Sequence, residues 1–272
     1  MTRPISLAWL TTAPMNPVEM LPLARRIGYT GVGLRALPAA PGETLPPLLT
    51  DPSFRRQIRD LARQEAIRVT DMEIVRIADS FRAADIEPFL DLCAELSVPH
   101  ILVAGDDADL SRLASSFADL CALAAPRGIS PALEFMPWTA VRDARTALSV
   151  VTTAAADNGT IIVDTLHVAR SGTTIDDLRN IPRDRLAYVQ ICDAPADIPA
   201  TREGLIHTAR QARLLPGDGG IDLTAILASL PPHLPVSVEI PNQAAHVQQG
   251  ASHWASMAFD ATSALLRTGR PA

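Results

Sequence analysis

The run Ile161-Ile162-Val163-Asp164 constrains this chain most. Three β-branched residues without a polar interruption read as a strand buried on both faces, as in a parallel sheet. The run stops on a carboxylate, and His167, Arg170 and Gly172 follow. A carboxylate at the end of a buried strand is costly unless it caps a helix, is paired, or meets a cation. Seven further apolar runs have strand length: Ile5–Leu10, Gly31–Leu34, one within Ile67–Ile77, Pro99–Ala104, Ile129–Phe135, Leu186–Ile191 and Pro235–Ile240. Between them lie stretches of helical periodicity. These are Pro17–Ile27 closed by Gly28, Asp51–Glu65 after a proline-rich loop Pro38–Pro47, Ala83–Leu96, Leu110–Ala125, Val141–Ala156, Thr174–Asn180, Ile221–Leu230 and Gln243–Leu266.

Strands alternating with helices predict a parallel sheet with right-handed crossovers. Eight such units in 272 residues fit a (β/α)8 TIM barrel. An open doubly wound sheet fits less well. Its early glycine-rich phosphate turn is missing, because Gly28–Gly33 runs into a strand and not out of one. No break in composition suits a linker, so one domain over residues 1–272 is expected. A net charge of −6 with no basic block argues against a nucleic-acid surface. No apolar run approaches the ~18 residues of a membrane span. The N-terminus lacks the apolar core of a signal peptide. Cys93, Cys121 and Cys192 are widely spaced and odd in number, which reads as reduced core residues in a cytoplasmic protein.

In a barrel the C-terminal ends of the strands converge on one face, where active sites sit. This chain places Glu134, Asp164, Gln190 and Glu239 at the ends of strands five to eight. Three carboxylates brought together repel unless a cation neutralises them. An all-oxygen set suits one divalent ion, Mn or Mg before Co or Zn. Glu134 or Glu239 is then placed to take a proton from a substrate carbon. His167 is placed to donate a proton or a hydrogen bond. Asp193 is a candidate to orient a ligand from behind, or to cap a loop.

The segments Leu133-Glu134-Phe135-Met136-Pro137, Val163-Asp164-Thr165-Leu166-His167, Val189-Gln190-Ile191-Cys192-Asp193, Pro216-Gly217-Asp218-Gly219 and Val238-Glu239-Ile240 carry a resemblance. They look like the xylose isomerase-like barrel superfamily of sugar isomerases and epimerases, inosose and dehydroshikimate dehydratases, and an endonuclease branch. The resemblance implies one divalent metal held by Glu134, Asp164, the seventh-strand residue and Glu239. It implies substrate contacts from His167 and from Arg213, the arginine before the Pro-Gly-x-Gly turn. Most sugar epimerases of the group carry His where this chain has Gln190; dehydroshikimate dehydratases resemble it more closely there.

Arg35 and Arg76 follow strands two and three on the predicted catalytic face. Arg202, Arg210 and Arg213 lie with His207 in the long stretch Ala194–Gly220. Arginine forks bind carboxylate or phosphate at two points, so several in one pocket suit an acidic substrate. The long stretch exceeds ordinary loop length and reads as a lid, with a short helix over Thr201–His207. The leading expectation is a metal-dependent isomerase or epimerase acting on a polyhydroxylated ketone through an enediolate. A dehydroshikimate or inosose dehydratase is the alternative, and a non-catalytic ligand-binding barrel the remote one. The partner is a small molecule, with a homodimer as a possible assembly.

Overall fold

A computed structural model describes residues 3–39 and 42–268. Eight parallel strands close into a barrel in chain order. They are β1 (Ile5–Leu7), β2 (Gly31–Arg35), β3 (Arg68–Ile77), β4 (His100–Gly105), β5 (Ser130–Glu134), β6 (Thr160–Asp164), β7 (Leu186–Ile191) and β8 (Val236–Val238). The surrounding helices are α1 (Trp9–Thr12), α2 (Pro17–Ile27), α3 (Pro52–Gln64), α4 (Glu87–Glu95), α5 (Leu110–Ala124), α6 (Ala144–Ala154), α7 (Thr165–Ser171), α8 (Ile175–Arg179), α9 (Arg202–Gln211), α10 (Leu223–Ser229), α11 (Gln243–Gln249) and α12 (Ala251–Thr268). Local chemistry sets many of their ends. The Asn16 side chain accepts from the Val18 amide and Pro17 opens α2, while Gly28 closes it at φ 120°, a conformation open to glycine. Asp51 caps α3 through the amides of Ser53 and Phe54.

One face of each strand packs against the helices. Val32, Leu34, Met72, Val103, Leu133 and Val163 share that core with Met20, Leu21, Leu90, Phe117 and Val151. Alternate residues form a smaller apolar plug of Ile74, Leu102, Ala132, Ile162 and Tyr188. Side chains two residues apart on a strand share a face. One such step from Ala132, Ile162, Tyr188 and Ser237 therefore reaches Glu134, Asp164, Gln190 and Glu239. Register fixes their relative height: Glu134 lies beside Ile162, Asp164 beside Gln190, and Gln190 beside Ser237. The staggered register brings the four strand ends round to one mouth above the plug.

Several element boundaries differ from the sequence reading. β1 stops at Leu7 and the chain turns at once into α1, because an apolar run without polar markers does not show where its period changes. Helix α7 was not foreseen; it begins on the residue after Asp164. The closing helix divides at Gly250 into α11 and α12. Within Pro38–Pro47, residues 40 and 41 lie outside the described residues, as do Met1 and Thr2. Among the described residues no helix is long and apolar enough to cross a membrane. All three cysteines are buried and free.

Candidate active site and metal centre

Asp164 does two jobs. Its Oδ1 caps α7, accepting from the amides of Leu166 (2.7 Å) and His167 (3.1 Å). Its Oδ2 faces Arg213 Nη1 at 2.6 Å. The cap also explains His167: the first turn of α7, started on Asp164, carries its ring back over the strand ends. His167 Nε2 lies 3.4 Å from Glu134 Oε1, and Trp138 stands edge-on to the imidazole at 5.0 Å. Potential ligand atoms of Glu134, Asp164 and His167 lie within 4.8 Å of one another, and all three residues are buried.

Arg213, expected at the substrate, lines the cavity and is buried between two of the carboxylates. Nη2 reaches Glu239 Oε2 at 2.9 Å, Nη1 also reaches the Glu239 carbonyl at 3.2 Å, and Nε donates to the Ala209 carbonyl at 2.8 Å. The guanidinium therefore ties the end of α9 to the tops of β6 and β8. Burial alone would raise the pKa of Asp164; Arg213 and then His167 outweigh it and hold the group below its ordinary value. Burial pushes Glu239 well above the usual carboxylate range, against the pull of Arg213 and with repulsion from Glu73, Glu134 and Asp164.

The donor set fits a divalent cation. Asp164 and Glu239 share the Arg213 guanidinium and Glu134 lies beside Asp164, so three carboxylates with one fixed cation leave two negative charges when all are ionised. Gln190 supplies a second observation: its Oε1 is buried with no hydrogen-bond partner. A buried amide oxygen left bare is costly, and a cation would satisfy it. A soft, thiolate-preferring ion would find no ligand in this set, because its atoms are carboxylate and amide oxygens with an imidazole nearby.

The site opens into a cavity of about 400 Å³ lined by Glu134, His167, Arg213 and Glu239 and also by Arg35, Arg76 and Arg210. Met136, Trp138, Ile74 and Leu102 supply its apolar wall. Arg35 is paired with Glu73 and, through Nη1 at 2.9 Å, with Glu43. Arg76 pairs with Asp106. Among the described residues no carboxylate pairs with Arg210. Burial first, then repulsion from Arg76 and Arg35, holds its pKa below the ordinary guanidinium value. Arg202 and His207 are exposed on α9 and do not join the cavity.

Of the two roles open to Asp193, its contacts are those of the loop cap. Its carboxylate accepts the amides of Ala194, Gly217, Gly219 and Ile221, which pins both ends of the long β7–α10 connection. A Cβ at Gly219 would collide with that carboxylate, so the turn needs glycine there. Inside the connection Thr201 caps α9 through the Gly204 amide. Sequence reasoning did not single out Glu73 or Glu43 as site residues. Glu73 carried the same signal as Glu134, a carboxylate within an apolar strand. Glu43, in an irregular proline-rich loop, carried none.

With this geometry in hand, the comparisons place the chain. It belongs to the xylose isomerase-like TIM barrel family, whose model matches residues 21–257. A 3-dehydroshikimate dehydratase of Pseudomonas aeruginosa is 28% identical over 144 residues, 51% of this chain but 22% of that protein, so the match spans under a quarter of the relative. Among solved structures, the IOLI protein with a bound zinc atom superposes with a TM-score of 0.81 at 20% identity, covering 98% of this chain and 99% of that one. D-psicose 3-epimerase from Clostridium cellulolyticum H10 gives 0.73 at 13% identity, covering 96% and 99%. At those identities the two structures speak for the fold alone.

Proposed function

We propose that the protein is a divalent-metal-dependent lyase that removes water from a cyclic hydroxy-keto acid of the 3-dehydroshikimate type. Glu134, Asp164, Gln190 and Glu239 would hold the ion, with Mn or Mg preferred by the oxygen donors. When bound, the ion supplies a Lewis acid for a carbonyl oxygen and for the enolate formed beside it. The chain's own groups do the rest. Glu134, in contact with His167, takes the proton from the carbon next to the carbonyl. His167 delivers a proton to the departing β-hydroxyl, which leaves as water. One C–H and one C–O bond break, a C=C bond forms, and no oxidant is required. Met136 and Trp138 keep that face of the cavity apolar.

The observation that carries this reading is the group of arginines that lines the same cavity as the carboxylates. Arg210 has no carboxylate partner among the described residues, and it faces the same cavity as Arg35 and Arg76. A neutral ketose has no use for that charge; a carboxylate does. Gln190 and the Pseudomonas aeruginosa relative point the same way. This order reverses the sequence-based preference for an isomerase or epimerase, which shares the enolate step. The test is incubation with 3-dehydroshikimate and Mn, following the near-ultraviolet absorbance of protocatechuate. No chromophore, together with solvent deuterium entering a neutral ketose, would return the assignment to the epimerases. Turnover or ligand binding indifferent to a chelator would remove the metal from the account.

A further inference from the structure

The arginine wall holds a carboxylate of the protein's own. Arg35 spends Nε and Nη2 on a single oxygen of Glu73, a buried residue of β3. Its remaining edge, Nη1, is taken by Glu43 Oε1 at 2.9 Å. Two carboxylates on one guanidinium are in excess by one negative charge. Among the described residues the nearby cation without a carboxylate of its own is Arg210, whose charge Glu43 also favours. Glu43 therefore sits where a ligand's carboxylate would be drawn, at the cavity edge shared by Arg35 and Arg210.

The carboxylates around these arginines differ in how they are held. Glu73 is fixed in a strand and Asp106 follows β4 directly. Glu43 belongs to a segment without regular secondary structure, and its side chain is 26% exposed. It follows Gly42, where φ is +80° and a Cβ would meet nothing within 4 Å. Its other oxygen, Oε2, accepts the Ala39 amide at 2.7 Å. Like charges cannot share one guanidinium edge without cost.

We propose that Glu43 is a displaceable internal counter-ion that occupies the anion position of the cavity and sets its selectivity: an acidic ligand binds by taking Arg35 Nη1 and Arg210 from it. This rests on the acidic-substrate reading given above and adds a residue that tunes it. The charge of Glu43 weakens every anionic ligand and leaves uncharged ones alone.

The test uses the full-length protein with Mn, shikimate as the probe, and its uncharged methyl ester as the control, titrated by calorimetry. Glu43→Gln removes the charge yet keeps an oxygen for the Ala39 amide. It should tighten shikimate roughly fivefold, the range of one partly exposed ion pair, and leave the ester within twofold. Unchanged or weaker shikimate binding, or equal tightening of acid and ester, overturns the role of Glu43. A second variant, Arg210→Met, separates the two readings. If wild type binds shikimate and Arg210→Met loses it while Glu43→Gln gains nothing, the acidic-substrate reading stands and Glu43 falls. If neither wild type nor Glu43→Gln binds shikimate, both fall.

Discussion

Asp71→Asn should make the protein more stable at alkaline pH and change little in acid. Asp71 lies on β3 two residues before Glu73 and is fully buried against Gly33, where a Cβ would collide with its carboxylate. Thr70 Oγ1 donates to Oδ2 at 3.0 Å. Burial, then the charge of Glu73, pushes its pKa up to about 7 from an ordinary 3.8. A shift of about 3 units, at about 1.36 kcal/mol per unit, corresponds to ~4 kcal/mol. The sign follows from proton uptake. Between these two values the folded chain holds a proton that the unfolded chain has lost. The stability this supplies is complete below about pH 4 and is lost as pH rises through about 7. Some 3 kcal/mol of the ~4 falls between pH 4.5 and pH 8. Asn is isosteric and carries no such penalty. Urea unfolding of both proteins at the two pH values gives four stabilities. The variant-minus-wild-type difference should be about 3 kcal/mol more favourable at pH 8. Any pH-independent cost of the amide cancels in that comparison. A difference that is the same at both pH values would refute the reasoning.

Arg213→Met should cost about 3–5 kcal/mol in metal-free protein, because it leaves Asp164 and Glu239 as buried carboxylates without their counter-ion. Added Mn should restore part of that loss, and metal-free variant as stable as wild type would contradict the bridging role. Asp193→Asn replaces one carboxylate oxygen with a donor that faces backbone amides. It should cost about 1–3 kcal/mol and speed hydrogen exchange at Gly217, Gly219 and Ile221; unchanged protection there would argue against the staple.

The barrel was readable because its strands are short apolar runs, and because inward-facing carboxylates at the run ends are rare without a purpose. Glu134, Asp164, Gln190 and Glu239 stood out on that signal, and the topology sets them at the tops of neighbouring strands. Helix α7 was not readable. It starts on the residue after β6 ends, with no turn residues between them, and its signal was Asp164, which is both a strand end and a cap. The pairing of Arg213 was not readable, because sequence gives a long side chain's origin and not its reach. Its guanidinium bridges two carboxylates at the lining of the cavity. Asp193 was ambiguous between ligand support and loop cap, and only its four amide partners decide for the loop. Glu43 reaches Arg35 from an irregular loop, where neither period nor register exists to predict a partner.

Calorimetric titration of metal-free protein with Mn, on wild type and on Glu134→Gln and Asp164→Asn, bears most directly on the carboxylate ring. One ion per chain should bind wild type, with affinity at least tenfold weaker in each variant, about 1.4 kcal/mol or more per ligand removed. No binding to wild type, or equal binding to all three proteins, would show that Arg213 alone is the counter-ion of these carboxylates.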